Sequence, residues 1–173
     1  LYVARFNVDG AGEWLPLATE TATKDGSTLG DKIGSLSDII INTVEAADLL
    51  GATPMDRPEW ATVDPLTGTV YLTLTNNNKR TEANPANPRV DNPFGHIIRW
   101  DETGNTTFSW DIFVFGSPAN GDADTNRSEL TQLNQFASPD GLMFDDRGIM
   151  WIQTDNDANK VEEYTNDQML AVI

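Results

Sequence analysis

Residues 58–76 read PEWATVDPLTGTVYLTLTN and residues 138–156 read SPDGLMFDDRGIMWIQTDN, so the chain carries one pattern twice. With a single-residue gap in the turn, the equivalent positions are Pro58 and Pro139, Glu59 and Asp140, Asp64 and Asp145, Gly68 and Gly148, Tyr71 and Trp151, and Asn76 and Asn156. A repeated β-hairpin is typical of a β-propeller, in which each copy forms part of a blade. We expect the acids that follow the two prolines to face one central channel. Carboxylates that converge there bind metal or need another source of neutralisation.

The rest of the chain predicts an all-β fold: a β-propeller-like arc of antiparallel blades with one short helix. Short strands alternate with turn signals. Strands are expected near residues 1–8, 13–17, 61–64, 69–75, 96–100, 108–115, 141–144, 150–153 and 160–164. The helix is expected from Ser37-Asp38 to Leu50, with Gly51 as its C-terminal stop. Residues 19–35, 76–94 and 116–135 are expected to be loops.

The composition restricts the class of function. The chain has 173 residues and a net charge of −16, which argues against nucleic acid as a partner because phosphate binding needs clustered basic residues. No Cys is present, so disulfides, thiolate zinc sites and a Cys nucleophile are excluded within this segment. No apolar run is long enough to span a bilayer. The chain opens and closes inside apolar sequence without a signal peptide. We therefore interpret residues 1–173 as a partial propeller domain cut from a longer protein.

Arg57-Pro58-Glu59 places a cation and an anion around a rigid proline. An arginine fork can hold a phosphate while a neighbouring carboxylate holds a metal. The alternative is a salt bridge that closes a blade. Asp140, between a proline and a glycine, has the alternative role of a turn former. The repeat favours the functional interpretation of both acids, because turns alone would not require an acid at the matching position twice.

Polar tripeptides follow the second strand of each copy. Asn76-Asn77-Asn78 and Asp155-Asn156-Asp157 are rich in the oxygens that Ca²⁺ prefers, but such residues also cap strands and start loops. The single histidine, His96, is expected to be a surface or hydrogen-bonded strand residue rather than a ligand. The roles of Asn76, Asn77, His96 and Asp155 stay open. No Ser-His-Asp set, P-loop or dinucleotide fingerprint is present.

Several separated motifs resemble the PhoX-type alkaline phosphatases. They are Gly51-Ala52-Thr53-Pro54-Met55-Asp56-Arg57-Pro58-Glu59-Trp60, Thr73-Leu74-Thr75-Asn76-Asn77, Gly95-His96-Ile97-Ile98-Arg99-Trp100 and Ser138-Pro139-Asp140-Gly141-Leu142. The resemblance covers almost the whole segment and implies an exported phosphomonoesterase that uses Ca²⁺ and Fe³⁺ in a propeller channel. It also implies that Arg57 contacts phosphate, that Glu59 ligates metal and that Asp140 is a further acidic site residue. The family's iron site uses a cysteine that this segment lacks, and other ligands lie upstream in full-length members.

The sequence therefore predicts the C-terminal segment of an exported, metal-dependent alkaline phosphatase that hydrolyses small phosphomonoesters, with its targeting signal outside residues 1–173. Arg57 is the predicted catalytic residue, and Glu59 and Asp140 are the predicted metal ligands. We expect the isolated segment to be inactive, because its metal site is incomplete. One alternative is a non-catalytic, calcium-stabilised propeller module that binds a partner. Another is a propeller lactonase-like hydrolase, which would not need the Arg57-Pro58-Glu59 motif.

Overall fold

The structure, a computed structural model, describes residues 1–156 and 159–173. The chain divides into two compact units, one of Leu1–Pro54 with Glu102–Ser109 and the other of Met55–Asp101 with Trp110–Ile173. The elements are β1 (Tyr2–Phe6), β2 (Ala11–Pro16), α1 (Leu29–Lys32), α2 (Leu36–Ile41), α3 (Thr43–Leu50), β3 (Pro58–Val63), β4 (Val70–Leu74), β5 (His96–Glu102), β6 (Thr107–Phe115), β7 (Pro139–Phe144), β8 (Met150–Thr154), α4 (Asn159–Glu162) and β9 (Met169–Val172). In the described part of the chain, no helix has the length and apolar character needed to cross a membrane.

The first unit packs short helices beside a small antiparallel sheet. β1 pairs with β2 along its whole length, and β2 pairs with the first residues of β6. The side chains of Leu17, Leu29, Ile39, Ala46 and Leu50 form its core. Burial of these apolar groups is the main stabilising contribution in this unit.

The prediction of a single helix from Ser37-Asp38 to Leu50 is wrong in two respects. The helical segment begins at Leu36, because the Ser35 hydroxyl accepts from the Asp38 N–H while the Asp38 carboxylate accepts from the Ser35 N–H. It is also divided at Asn42, whose backbone leaves the helical conformation between α2 and α3. The predicted stop is confirmed, because Gly51 has a left-handed φ of 74°.

The second unit contains the two copies of the repeated hairpin. β3, β4, β5 and most of β6 form one sheet in the order β6-β5-β4-β3, and β7, β8 and β9 form another. Tyr71, Ile97, Leu142, Met150 and Ile152 form a core cluster of this unit. The all-β fold class with antiparallel blades is thereby confirmed, and the residue 1–173 domain assignment stays a prediction.

The two copies have the same strand register. Pro58 pairs with Leu74 in the first hairpin, as Pro139 pairs with Thr154 in the second. Each hairpin then has an irregularity over the next residues, and regular pairing resumes at Ala61 and at Leu142, which are equivalent positions. A bulge bends a strand and changes the direction of its side chains, so both copies redirect the acid that follows the proline.

Backbone conformation repeats as well. Arg57 and Ser138, which precede the two prolines, have φ values of 46° and 51°, in the left-handed region that non-glycine residues rarely adopt. The carbonyl of Arg57 accepts from the Thr75 N–H, and that of Ser138 accepts from the Asp155 N–H. The prediction that residues 58–76 and 139–156 form equivalent hairpins is confirmed down to individual hydrogen bonds.

Two other expectations differ from the structure. Residues 19–35 are not entirely loop, because Thr28 and Asp31 form a capping box that starts α1. The predicted strand at residues 160–164 is wrong: the backbone of Asn159–Glu162 is helical, and the buried Val161 lies in that turn. The edge strand after β8 is instead β9, which pairs antiparallel with it. Lys160–Tyr164 has its two hydrophobic residues, Val161 and Tyr164, three positions apart among helix-forming charged residues, and it lacks the alternation of a strand.

Candidate functional site

The candidate site lies within the second unit, where the beginnings of β3 and β7 meet. Two buried threonines, Thr73 in β4 and Thr75 just after it, hold them together. The Thr73 hydroxyl donates to the Asp140 carbonyl at 2.8 Å, and the Thr75 hydroxyl donates to the Pro139 carbonyl at 2.9 Å. These hydrogen bonds fix the backbone around Asp140 against the hairpin that carries Arg57 and Glu59.

Arg57 presents its guanidinium beside Glu59 and Asn76. One terminal nitrogen donates to Asn76 Oδ1 at 3.1 Å, and the other lies 3.7 Å from Glu59 Oε1. The Arg57 side chain is 43% exposed and that of Glu59 37%, so both can reach a ligand. A half-exposed ion pair of this kind contributes little to stability, about 0–1 kcal/mol. The salt-bridge alternative therefore describes a real contact that has a small energetic role.

Asp140 is the half-buried carboxylate of the site. Partial burial raises the pKa of Asp140, and the negative charges of Glu59 and Asp155 raise it further, while the Arg57 cation acts in the opposite direction. Arg57, Glu59 and Asp140, which the sequence predicts as site residues, are thus brought into one electrostatic group. Asp155 joins that group, although its role could not be assigned from sequence.

Asn76 and Asp155 occupy the ends of the two hairpins. Asn76 accepts from Arg57 and donates through Nδ2 to the Ser138 hydroxyl at 3.4 Å. The Asp155 backbone N–H donates to the Ser138 carbonyl at 2.9 Å. The polar tripeptide after each second strand was the available sequence signal for both residues. Asp157, the last residue of the second tripeptide, lies outside the described residues.

His96 is excluded as a ligand of this site by its own hydrogen bonds. The imidazole is fully buried, its Nε2 donates to the Ala86 carbonyl at 2.7 Å and its Nδ1 accepts from Asn92 Nδ2 at 3.0 Å. Burial lowers the pKa of His96 to about 4, so the ring is neutral near pH 7. The expectation of a hydrogen-bonded strand residue is confirmed.

The arrangement combines an accessible arginine fork with oxygen donors. Within residues 1–156 and 159–173, no three or more His, Cys, Asp or Glu side chains form a group arranged to hold a metal ion. Glu59, Asp140 and Asp155 nevertheless supply carboxylates, which hard cations prefer. Burial is the largest cause of the raised pKa of Asp140, and the negative charges of Glu59 and Asp155 add a repulsion that a cation would relieve. The chemistry of these side chains therefore suits a hard cation.

Comparisons with known proteins identify close similarity to one family. The sequence profile described as "Alkaline phosphatase PhoX" matches residues 1–171. The structure is similar to that of Pseudomonas fluorescens PhoX in complex with vanadate, a transition state analogue, with a TM-score of 0.84 and 38% sequence identity. The match covers 99% of this chain and 33% of that chain. No curated protein gave a match.

Proposed function

The chain belongs to the PhoX family of alkaline phosphatases, and we propose that it supplies part of the active site of a metal-dependent phosphomonoesterase. The observation that carries the proposal is the accessible guanidinium of Arg57 beside Glu59 and Asp140. A purely structural cation site has no use for such a donor, whereas a phosphoryl group does. The vanadate complex of the similar protein is consistent with a site that binds a phosphoryl group at its transition state.

Arg57 is the residue proposed to contact the transferring phosphoryl group. Its fork matches the geometry of phosphate oxygens and can donate two hydrogen bonds to them at once. One guanidinium nitrogen of Arg57 already donates to Asn76 Oδ1. This contact restricts the arginine side chain before phosphate binds, so less conformational entropy is lost on binding. An interaction that strengthens as charge develops on the phosphoryl oxygens accelerates the reaction rather than only tightening binding.

Glu59 and Asp140 are the residues proposed to hold metal, with Asp155 as a third oxygen donor nearby. Their carboxylates suit Ca²⁺, and we propose Fe³⁺ as a second ion by family resemblance. Such ions polarise phosphoryl oxygens and activate an oxygen nucleophile. Because the chain covers 33% of the similar structure, we propose that further ligands come from sequence outside residues 1–173.

Variants at Arg57 and Glu59 in the full-length gene product test the proposal. Arg57→Ala should keep its metal and lose about 10²–10³-fold in kcat/KM for p-nitrophenyl phosphate, the usual cost of a lost transition-state donor. Arg57→Lys should recover only part of the lost kcat/KM, because lysine has the charge of arginine without its bidentate fork. Glu59→Gln should lose metal and activity together.

A matched control is Arg147→Ala. Arg147 forms an exposed ion pair with Asp145 at 2.7 Å in the turn of the second hairpin, and its loss should leave kcat/KM unchanged. Metal content is measured by elemental analysis beside the kinetics. An Arg57→Ala protein with near-full activity would return Arg57 to its salt-bridge role and favour a non-catalytic calcium module.

The isolated chain of residues 1–173 should show negligible hydrolysis and weak metal binding, because affinity falls with the number of ligands. Chelator-sensitive turnover by the purified segment would contradict the proposal of outside ligands.

We also propose export to the periplasm or medium, on family resemblance. An export signal in the gene and activity in the corresponding cell fraction are the tests.

A further inference from the structure

A fully buried carboxylate directly precedes Arg57. Asp56 has no exposed surface. Its Oδ1 accepts from Arg80 Nε at 2.7 Å and from Asn77 Nδ2 at 2.9 Å, and its Oδ2 accepts from Asn92 Nδ2 at 3.2 Å. All three donors belong to the loop of residues 76–94. A buried charge is tolerated only with partners of this kind, so the loop and Asp56 hold each other in place.

The backbone of Asp56 is fixed by the same loop. Its N–H donates to the side-chain oxygen of Asn87 at 2.9 Å. Asn87 is itself fully buried, and its Nδ2 donates to Asn84 Oδ1 at 2.8 Å. Asp56 is therefore held through both its main chain and its carboxylate. This restricts the conformation of the backbone that leads into Arg57.

Arg57 follows the anchored Asp56 directly in the chain. Its φ of 46° is a strained conformation for a residue with a side chain, and such strain persists only where the surroundings impose it. Two parallel links join the same backbone segments: Asp56 to Asn77, and Arg57 to Asn76. The first link is partly buried and ends at the Asp56 carboxylate, and the second is exposed and begins at the proposed phosphate contact.

The second copy of the hairpin shows that the turn alone does not need this carboxylate. Ser138 has nearly the same left-handed φ as Arg57, and the residue before it is Ala137. Ala137 is fully buried, as Asp56 is, but it is apolar. The turn therefore does not require Asp56, which occurs only in the copy that carries Arg57.

We infer that Asp56 is a positioning residue that holds the Arg57 guanidinium in the orientation needed for the phosphoryl group. This inference rests on the proposed function. Its chemistry is preorganisation: the buried carboxylate fixes the loop and the main chain, so that the exposed fork is already placed before the substrate binds.

A double-mutant cycle in the full-length gene product tests the inference. The proteins are Asp56→Asn, Arg57→Ala and the double variant, each measured for kcat, KM, metal content and inhibition by inorganic phosphate. Asp56→Asn should lower kcat/KM about 10–100-fold, as supporting residues of metal sites typically do, with metal retained. In the Arg57→Ala background the same substitution should change kcat/KM less than about twofold, because the residue through which it acts is absent.

Asp111→Asn is the matched control. Asp111 forms a bidentate pair with Arg99 in the same unit, and its loss should leave kcat/KM unchanged. If Asp56→Asn does not fold, Asn77→Ala removes one donor to Asp56 and enters the same cycle with the same expected coupling. Equal losses from Asp56→Asn with and without Arg57 would overturn the inference and make Asp56 a structural residue. An unaffected Arg57→Ala protein would instead refute the proposed role of Arg57, and the inference with it.

Discussion

His96, the single histidine of the chain, should make the folded state less stable as the pH falls. Its neutral ring is fully buried between the Ala86 carbonyl and the Asn92 amide. Burial is the largest cause that lowers its pKa to about 4, and the nearby Arg89 and Arg80 cations act in the same direction. The Asp56 carboxylate and the hydrogen bond to Ala86 act in the opposite direction.

The direction of this pH dependence follows from the protonation of His96 in the unfolded and in the folded chain. In the unfolded chain the imidazole binds a proton below about pH 6.5, whereas in the folded chain it stays neutral until about pH 4. The unfolded state therefore binds more protons in this window, so the stabilisation is complete above pH 6.5 and is lost as the pH falls towards 4. For these two pKa values, the free energy of unfolding decreases by about 2 kcal/mol between pH 7 and pH 5.

The measurement compares urea unfolding of the wild-type chain and of His96→Gln at a series of pH values. Gln keeps an amide donor and does not titrate, so the variant should lack about 2 kcal/mol of the wild-type pH dependence over this range. The carboxylates titrate in both proteins and cancel in the difference. Direct NMR titration of the only imidazole gives its pKa independently. A ring that titrates near 6.5 in the folded protein, or identical pH slopes in both proteins, would refute the reasoning.

Three other substitutions, one of them a control, test the framework of the site by urea unfolding. Gly95→Ala should destabilise by more than about 3 kcal/mol, because Gly95 has a φ of 67° and a Cβ would lie 2.1 Å from the Thr75 carbonyl oxygen. Gly68→Ala, at a similar φ but in open space, should cost only about 1–2 kcal/mol, and equal losses would contradict the steric argument. Thr73→Val should cost about 1–3 kcal/mol, because it removes the hydroxyl that donates to the Asp140 carbonyl and accepts from the Trp60 N–H, and no loss would mean that β7 is held by other contacts.

The hairpins could be predicted because the signals that form them are local. Asp64 and Asp145 accept from backbone N–H groups of their own turns, and Gly68 and Gly148 supply the left-handed residue. These residue types at these spacings specify the same turn wherever they occur. Glu59 and Asp140 could be singled out from the sequence for a related reason, because they hold the same place relative to their turns, and their role as metal ligands stays a prediction.

The two shortest helices, α1 and α4, and the proposed support of Arg57 could not be predicted in the same way. α1 and α4 have four residues each, too few for a hydrophobic period to be visible. Asp56 is buried only because the loop of residues 76–94 folds over it, and that loop has no periodicity from which its path could be inferred. A buried carboxylate with distant partners is decided by tertiary structure alone.

The comparison of the two copies separates what the hairpin needs from what the site needs. Backbone hydrogen bonds, the bulge and the left-handed residue are the same in both, so they belong to the hairpin. The pair Asp56-Arg57 corresponds to Ala137-Ser138, so the charges belong to the first copy. The Ser138 hydroxyl accepts a hydrogen bond from Asn76 Nδ2, and Asn76 Oδ1 accepts one from the Arg57 guanidinium. The second copy thus contacts, through Ser138, the asparagine that binds the arginine of the first copy. The same backbone pattern therefore places the Arg57 cation in one copy and a residue behind its hydrogen-bond partner in the other.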